Sequence, residues 1–232
     1  SIRVTEADIE SSWTGLRPLI HEEGKDPSEI SRKDEVIISQ SGLITIAGGK
    51  LTGYRKMAED VVNTVAKQFK EEAYKVFSEC RTKNIPISGG DVGGVSNFSS
   101  YVEKKIVEGI KLGLKFSEAE LLVRRYGSNV DTIFTYMKEF DKTSKLSPSV
   151  YARLKYTVEQ EAAVTLVDFF IRRTGSLFFD IKWVKEWKKD VTEMMSQLLN
   201  WSEFEKERHV GDLERELHDA VVALKEEVVK HT

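Results

Sequence analysis

Gly42-Leu43-Ile44-Thr45-Ile46-Ala47-Gly48-Gly49-Lys50-Leu51-Thr52-Gly53-Tyr54-Arg55-Lys56-Met57-Ala58-Glu59 is the stretch that decides the fold of the first part of the chain. Its apolar and β-branched residues before Gly48 predict a buried strand. Gly48 and Gly49 permit backbone angles and close approaches that a Cβ would block. From Tyr54 the apolar residues change to a helical spacing. A strand, a glycine turn and a helix together present free backbone N–H groups to an anion or a flat polar ring, and Lys50 adds a positive charge to the turn.

Composition indicates an ordinary soluble globular chain. The 232 residues fit one large domain or two small ones, and 40% of them are hydrophobic and 31% are charged. A formal net charge of −3 gives no support to nucleic-acid binding, which usually leaves a basic surface. The single cysteine, Cys80, cannot form an internal disulfide and indicates a reducing compartment. The N-terminus does not resemble a signal peptide. The longest apolar run, residues 162–171, is too short to span a bilayer, which leaves peripheral membrane contact open.

The first part of the chain predicts an incomplete α/β arrangement. A strand at 36–38 and a hairpin turn at 39–42 are predicted before the central strand. Arg17 precedes Pro18, which favours extended backbone, and its apolar neighbours predict a half-buried guanidinium that needs an anionic partner. Two strands and one long helix are too few to form a sheet covered by helices on both faces. We therefore expect the sheet to be completed by another chain, or the sequence to be a fragment.

The predicted organisation has two domains joined by a linker. Residues 1–85 belong to the sheet-containing part, and residues 98–232 form an all-α domain. Residues 86–97 contain a proline and four glycines with few apolar side chains, which is typical of a linker or surface loop.

Helix boundaries in the second part are predicted from capping signals. Residues 117–120 and 202–205 each read as a capping box, in which a serine caps the helix and a glutamate reaches back. Gly127 predicts a helix end. Helices are predicted near 98–113, 117–126, 128–140, 148–173, 180–200 and 202–230.

Few residues predict metal or nucleophile chemistry. The histidines are not spaced as metal ligands, their polar surroundings predict exposure, and no G-x-S-x-G motif is present. These residues are His21, His209, His218 and His231.

The remaining candidates are cationic, namely Arg17, Arg32, Lys50 and Arg55. A surface ion pair is the commoner role for such side chains. Lys50 differs because it follows a predicted strand and a glycine pair, at the edge where open α/β sheets bind ligands. On spacing alone, an anion or cofactor site at Lys50 and a plain surface ion pair stay equally open.

Several stretches resemble the C-terminal part of FAD-dependent glycerol-3-phosphate dehydrogenases and the related glycerol-3-phosphate oxidases. The most specific are Trp-Thr-Gly-Leu-Arg-Pro-Leu at 13–19 and the segment 48–59, which begins Gly-Gly-Lys-Leu-Thr. Shorter pieces at 87–90, 125–129 and 168–174 are similar to that family's helical C-terminal domain.

The resemblance implies an α+β fold, in which short strands and a long helix complete an FAD-binding α/β domain that is followed by an all-α helical C-terminal domain. It implies an oxidoreductase in which FAD takes a hydride from C2 of sn-glycerol 3-phosphate to give dihydroxyacetone phosphate. Electrons then pass to quinone at a membrane or to oxygen. A cytoplasmic location, either free or peripheral on the inner face of the membrane, goes with this activity. Homo-oligomerisation is left open.

The resemblance also implies roles for individual residues. Arg17 and Lys50 take catalytic positions, and Arg17, Arg32 and Lys50 contact the substrate. The segment that lines the isoalloxazine ring is Gly48, Gly49, Lys50, Leu51 and Thr52. Guanidinium donors suit a dianionic phosphate, and a helix N-terminus beside Lys50 suits the negative charge of a reduced flavin. No metal is implied.

The chain departs from this family because it has no FAD-binding G-x-G-x-x-G motif in a strand–turn–helix. We expect the chain alone to bind FAD weakly or not at all and to have no turnover. The alternative interpretation is a non-catalytic helical module that docks on another protein or on the membrane. Substitution of Arg17 and Lys50 distinguishes the two, because only the flavoenzyme needs both cations.

Overall fold

The computed structural model describes residues 5, 8–15, 34–48, 50–140 and 144–222. The chain divides into two compact units, which are described separately. Residues 15–87 form the sheet-containing unit, and residues 1–14 with 88–232 form the helical unit. The glycine-rich segment that the sequence marks as a linker therefore belongs, from Ser88 onward, to the helical unit.

The sheet-containing unit begins with an antiparallel hairpin of β1 (Glu35–Ile38) and β2 (Ile44–Ala47). Its register places Glu35 opposite Ala47 and Ile38 opposite Ile44. Gly42 closes the turn at a φ of +82°, a left-handed conformation that glycine adopts without a steric penalty, and its N–H donates to the carbonyl of Ser39 at 3.0 Å. The predicted hairpin is confirmed.

The strands are not buried within this unit, so the prediction of a buried central strand is wrong for the chain as described. Leu43 keeps 66% of its surface exposed, and Ile46, inside β2, keeps 37%. A two-stranded sheet has a single ladder, and one helix cannot cover its apolar side chains. The apolar pattern of the strand therefore exceeds what this unit can bury.

The helix α1 (Tyr54–Ala73) follows a short 3₁₀ turn at Leu51–Gly53, as the change of apolar spacing predicts. It ends where Tyr74 takes the left-handed conformation, with φ at 52°. None of its residues is buried. Its apolar stripe is therefore exposed in the same way as the strands.

The helical unit confirms the predicted all-α character of the second part. Its helices are α2 (Phe98–Lys111), α3 (Phe116–Tyr126), α4 (Val130–Lys138), α5 (Pro148–Glu161), α6 (Ser176–Phe179), α7 (Ile181–Leu199) and α8 (Glu203–Val222). None of the helices in the described ranges is long and apolar enough to cross a membrane.

The predicted continuous helix at 148–173 is wrong. Helix α5 ends because Ala162 adopts a left-handed conformation with φ at 53°, and its N–H donates to the carbonyl of Thr157. The chain then forms a separate π-helical segment at Asp168–Arg173. A reciprocal capping box starts it: the Thr165 N–H donates to Asp168 Oδ2 at 2.9 Å, and the Asp168 N–H donates to Thr165 Oγ1 at 3.0 Å.

The two predicted capping boxes have different outcomes. At the start of α8, Ser202 and Glu205 exchange hydrogen bonds, which confirms that prediction. At the start of α3 the prediction is wrong, because the helix begins at Phe116 with no side-chain cap. Its expected partner Glu120 instead accepts a hydrogen bond from Arg124, one turn further along.

Gly127 ends α3 as predicted, at a φ of +52°. A Cβ built at this position would lie 1.9 Å from the carbonyl oxygen of Gly89. The Ser128 N–H also donates to that carbonyl at 3.0 Å. The glycine-rich segment and the end of α3 therefore pack backbone against backbone, which requires glycine at both positions.

The core of the helical unit consists of two clusters. One is formed by α2, α3, α4 and part of α5, and the other by α5, the π-helical segment, α6, α7 and α8. The N-terminal segment 8–14 packs on the second: the Ser12 N–H donates to the Ala220 carbonyl at 2.8 Å, and the Trp13 ring stacks 4.7 Å from Phe178. Fully buried side chains include Leu122, Ile133, Leu154, Phe169, Phe170, Leu177 and Met195.

Candidate functional site

The candidate site is the turn between β2 and α1. Lys50 is extended, with φ at −126° and ψ at 121°, and the Gly53 N–H donates back to its carbonyl at 3.0 Å. The first N–H groups of a helix have no partner inside the helix. Free backbone donors at this turn therefore stay a prediction from the sequence.

The side chains of Met57 and Asp34 lie close to Gly48 inside this unit. A Cβ built on Gly48 would lie 2.4 Å from Met57 Cε and 2.5 Å from Asp34 Oδ1. Asp34 Oδ2 would also lie 3.4 Å from a Cβ on Gly53. Asp34 was not among the residues predicted from the sequence. The hairpin register predicts that Asp34 lies opposite Gly48, because these two residues come next after the pair Glu35 and Ala47.

The side chains of the turn are exposed and available to a ligand. Lys50, Leu51 and Thr52 are all exposed, and Leu51 keeps 90% of its surface accessible. No carboxylate lies within 4 Å of the Lys50 ammonium in the part of the chain that the structure describes. An apolar side chain and an ammonium group thus lie on one short segment, which suits a flat ring with a polar or anionic edge.

Arg17, Arg32 and Gly49 lie outside the described residues. Their roles therefore stay predictions. The structure brings together the other predicted residues, Gly48, Lys50, Leu51 and Thr52, because all of them lie on the same turn.

Arg55 forms an ion pair, which is the commoner role for such side chains. Its Nη1 bonds Glu59 Oε2 at 2.6 Å and donates to Thr82 Oγ1 at 3.2 Å. The hydrogen bond with Glu59 raises the pKa of the guanidinium. Both contacts lie beside a largely apolar groove of about 540 Å³ between α1 and residues 80–87. Cys80 is exposed in this groove, and its hydrogen bond with Thr82 lowers the pKa of the thiol.

One histidine differs from its prediction. His209 is only 6% exposed and packs 4.4 Å from the Trp201 ring, so the expectation that the histidines are exposed is wrong for it. Burial lowers its pKa. His218 is exposed, whereas His21 and His231 lie outside the described residues. Among the described side chains, no group of three or more His, Cys, Asp or Glu residues is arranged to hold a metal ion.

Comparison with known families shows which family the chain belongs to. Residues 80–206 match the family described as the C-terminal domain of alpha-glycerophosphate oxidase. The chain belongs to this family. The match covers more than half of the chain and coincides with most of the helical unit.

The similarity to individual proteins extends over nearly all of this chain. The chain is 54% identical over 228 residues to an aerobic glycerol-3-phosphate dehydrogenase of Bacillus subtilis. The aligned region covers 97% of this chain. A Staphylococcus haemolyticus protein of the same name is 47% identical over 94% of the chain. The chain spans only about 41% and 40% of the length of these two relatives.

A solved structure is similar to this family member in fold as well. The glycerol-3-phosphate dehydrogenase of Bacillus halodurans, complexed with FAD, matches with a TM-score of 0.83 and 43% sequence identity. The match covers 96% of this chain and 42% of that protein. It includes both the sheet-containing and the helical unit.

Proposed function

We propose that this chain forms the C-terminal part of an FAD-dependent glycerol-3-phosphate dehydrogenase, which oxidises sn-glycerol 3-phosphate to dihydroxyacetone phosphate. The observation that carries the proposal is the match, at 43% identity and over 96% of the chain, to a glycerol-3-phosphate dehydrogenase complexed with FAD. At this level of identity the similarity extends beyond the fold. The exposed turn at Lys50 supports the proposal independently, because it has the groups that a flavin ring would contact.

The residues of the turn fit one edge of FAD. The N–H groups of Leu51 and Thr52 and the ammonium of Lys50 would face negative charge on the pyrimidine edge, and the Leu51 side chain would cover apolar ring surface. Gly48 and Gly49 complete the proposed contact segment. When bound, FAD supplies the hydride acceptor. The chain contributes electrostatic stabilisation and a fixed orientation.

Much of this site would come from sequence outside the chain. The exposed strands and the apolar stripe of α1 present surface that this unit leaves uncovered, notably Leu43, Ile46 and Val62. The proposed dinucleotide-binding part would cover that surface. The 232 residues alone are therefore expected to hold little or no FAD and to have no turnover.

Substrate contacts are proposed for Arg17, Arg32 and Lys50. A guanidinium presents a rigid fork of N–H donors that matches two phosphate oxygens, whereas an ammonium acts as a mobile point charge. Arg17 and Lys50 are also proposed to act in catalysis, by stabilising negative charge as the hydride leaves the substrate. The electron acceptor is proposed to be quinone at a membrane surface or oxygen.

A chimera tests the proposal. The chain replaces the matching segment of the Bacillus subtilis relative, with which it shares 54% identity over 228 residues. Reduction of an artificial electron acceptor is then measured with sn-glycerol 3-phosphate, with glycerol and without substrate. We expect flavin to be retained and activity with glycerol 3-phosphate alone. A folded, flavin-containing chimera that does not oxidise glycerol 3-phosphate would contradict the proposal.

Substituting the acceptor in the same assay separates the two electron-transfer routes. Activity with a short-chain quinone and little oxygen consumption indicates a dehydrogenase. Peroxide formation at a rate equal to substrate oxidation indicates an oxidase. The isolated 232-residue chain serves as the control, which we expect to be colourless and inactive.

A further inference from the structure

The outer face of the helix pair α2 and α3 carries apolar side chains that the helical unit leaves exposed. Val107 and Ile110 on α2 keep 51% and 44% of their surface exposed, and Phe116 at the start of α3 keeps 60%. Single exposed apolar residues are common, whereas several that lie together indicate a surface used for binding. We call these three residues the α2–α3 patch.

A shallow groove brings the three side chains of the α2–α3 patch to one place. It has a volume of about 470 Å³, and Val107, Ile110 and Phe116 all line it. Val102 and Ile106, which are buried in the core of the helical unit, line the same groove. The patch is therefore a continuous apolar surface that begins at the core and reaches solvent.

Lysines flank the α2–α3 patch. Lys104 and Lys111 lie three residues before and four residues after Val107, which places them on the same side of the helix α2. Lys115 directly precedes Phe116, and all three lysines are exposed. A long lysine side chain can lay its methylene groups along apolar surface while its ammonium group stays at a charged boundary.

The carboxylates around the α2–α3 patch do not cancel this positive charge. Glu120 pairs with Arg124 at 2.9 Å, and Glu108 pairs with Lys105 at 2.8 Å. The other carboxylate that lines the groove is Glu103, so the three flanking lysines outnumber it. The chain as a whole has a formal net charge of −3. A basic surface on an acidic chain indicates an anionic partner.

We propose that the α2–α3 patch docks on the surface of a lipid bilayer that contains anionic phospholipids. Its apolar side chains would enter the boundary between headgroups and acyl chains, and the flanking lysines would face the lipid phosphates. An apolar stripe with lysines beside it is the pattern of a helix that lies in the plane of a membrane interface.

The charge of the patch favours lipid over a second copy of the chain. A two-fold symmetric contact would place the α2–α3 patches of two copies against each other. The lysines of both copies would then lie at one interface, where like charges repel. An anionic lipid surface neutralises the same lysines.

This inference goes beyond the proposed dehydrogenase activity, because it concerns lipid binding by the helical unit. Its test needs neither flavin nor turnover. It can therefore fail while the proposed function stands, and the reverse also holds.

The experiment measures co-sedimentation of the purified 232-residue chain with lipid vesicles. Vesicles of phosphatidylcholine alone are compared with vesicles of an equal mixture of phosphatidylcholine and phosphatidylglycerol. We expect binding to the anionic vesicles that is about tenfold or more tighter than binding to phosphatidylcholine, because several lysines act together. Binding should weaken as the salt concentration rises, because salt screens exposed charges.

Matched variants test the apolar part of the α2–α3 patch. Phe116→Glu is expected to weaken binding to the anionic vesicles about fivefold or more, because it replaces an inserting side chain with a repelled one. Phe204→Glu on α8 and Val62→Glu on α1 add the same charge at side chains that are 74% and 63% exposed. Both are expected to bind like the unmodified chain.

A second matched pair tests the lysines. The double variant Lys111→Gln and Lys115→Gln is expected to lower the affinity for anionic vesicles about tenfold and to reduce its dependence on salt. Lys185→Gln with Lys189→Gln removes the same charge from two exposed positions on α7 and is expected to have little effect.

Three results would overturn the proposal. The first is equal binding to the two kinds of vesicle. The second is an equal loss of binding in the patch variants and in their controls, which would indicate general attraction by the whole surface. The third is a dimer in sedimentation velocity that Phe116→Glu dissociates, without vesicle binding, which would make the α2–α3 patch an interface between two copies of the chain.

Discussion

Replacing Asp168 with asparagine tests the hydrogen bonds that start the π-helical segment after α5. Asp168 Oδ2 accepts N–H groups from Val164 at 3.1 Å and Thr165 at 2.9 Å, and Oδ1 accepts from Arg172 Nη1 at 2.7 Å. Burial works to raise the pKa of this carboxyl, but the hydrogen bonds outweigh it, so the pKa is lowered overall. Asparagine keeps a carbonyl acceptor for the backbone and loses the charge.

The magnitude follows from these contacts. A hydrogen bond to a charged group contributes about 1.5–3 kcal/mol and a neutral one about 0.5–1.5, so two backbone bonds lose about 2 kcal/mol together. The pair with Arg172 contributes only about 0.3–0.5 kcal/mol, because the arginine side chain is 59% exposed. We therefore expect Asp168→Asn to lower the free energy of unfolding by about 2 kcal/mol at neutral pH, and Arg172→Ala by about 0.5 kcal/mol at most.

The pH dependence provides a second check with a defined sign. Because the folded-state pKa of Asp168 is lowered, its ionised form stabilises the fold above the unfolded-state pKa, and that stability is lost as the pH falls through the folded pKa. The free energy of unfolding of Asp168→Asn should therefore be lower than that of the unmodified chain by the full amount above about pH 5. This difference should shrink as the pH falls below about 3.9.

Urea unfolding followed by tryptophan fluorescence is the appropriate assay. All four tryptophans, Trp13, Trp183, Trp187 and Trp201, belong to the helical unit, so the signal reports that unit alone. An Asp168→Asn variant as stable as the unmodified chain at neutral pH would refute the reasoning. So would a deficit that stays constant down to the lowest pH at which the chain folds, because the effect would then not depend on the charge.

Two further predictions compare matched positions in the helical unit. Ser202→Ala should lower the free energy of unfolding by about 1 kcal/mol, because it removes a capping hydroxyl, whereas Ser117→Ala should change it by less than about 0.5 kcal/mol. Equal losses in the two urea titrations would contradict the observed helix starts. Gly127→Ala should cost about 2–4 kcal/mol, because it adds a backbone clash to an unfavourable φ, whereas Gly113→Ala, at a φ of +93° in open space, should cost only about 1–2 kcal/mol. The same denaturation measurement checks this pair, and a smaller effect at Gly127 would be inconsistent with the packing of α3 on the glycine-rich segment.

Local patterns predicted the strand–turn–helix well because its signals are short-range. The change from alternating to helical spacing, the glycines of the turn and the hairpin connection all act within a few residues. The same holds for the end of α3 at Gly127 and the capping box at Ser202. In each case the hydrogen bonds of the turn or cap join residues close in sequence, so a local sequence pattern is enough to predict the structure.

The missed features depend on contacts distant in sequence. Nothing between 148 and 173 resembles a helix breaker, yet Ala162 is left-handed there, and the adjacent Phe169 and Phe170 are both fully buried. Neighbouring residues point about 100° apart on a regular helix, so burying both requires packing from several sides. The capping sequence at Ser117 loses its partner Glu120 to Arg124. That competition is not visible in the motif itself.

The candidate site was predictable only in part. The turn at Lys50 follows from local sequence, whereas the contact of Asp34 with Gly48 depends on the hairpin register. The exposed strands show why the buried pattern misled: their apolar side chains match a larger sheet than this unit contains.

The most direct test of the central claim is the rate at which glycerol 3-phosphate reduces bound flavin in the chimera. This rate is measured in a single anaerobic turnover as the loss of visible flavin absorbance. We predict that Lys50→Ala retains flavin and slows reduction by about 100-fold or more, as expected when one preorganised charge-stabilising group is lost. Lys67→Ala, an exposed lysine further along α1, should leave the rate unchanged. If Lys50→Ala reduces its flavin as fast as Lys67→Ala, the turn at Lys50 is not part of the flavin site and the account is wrong.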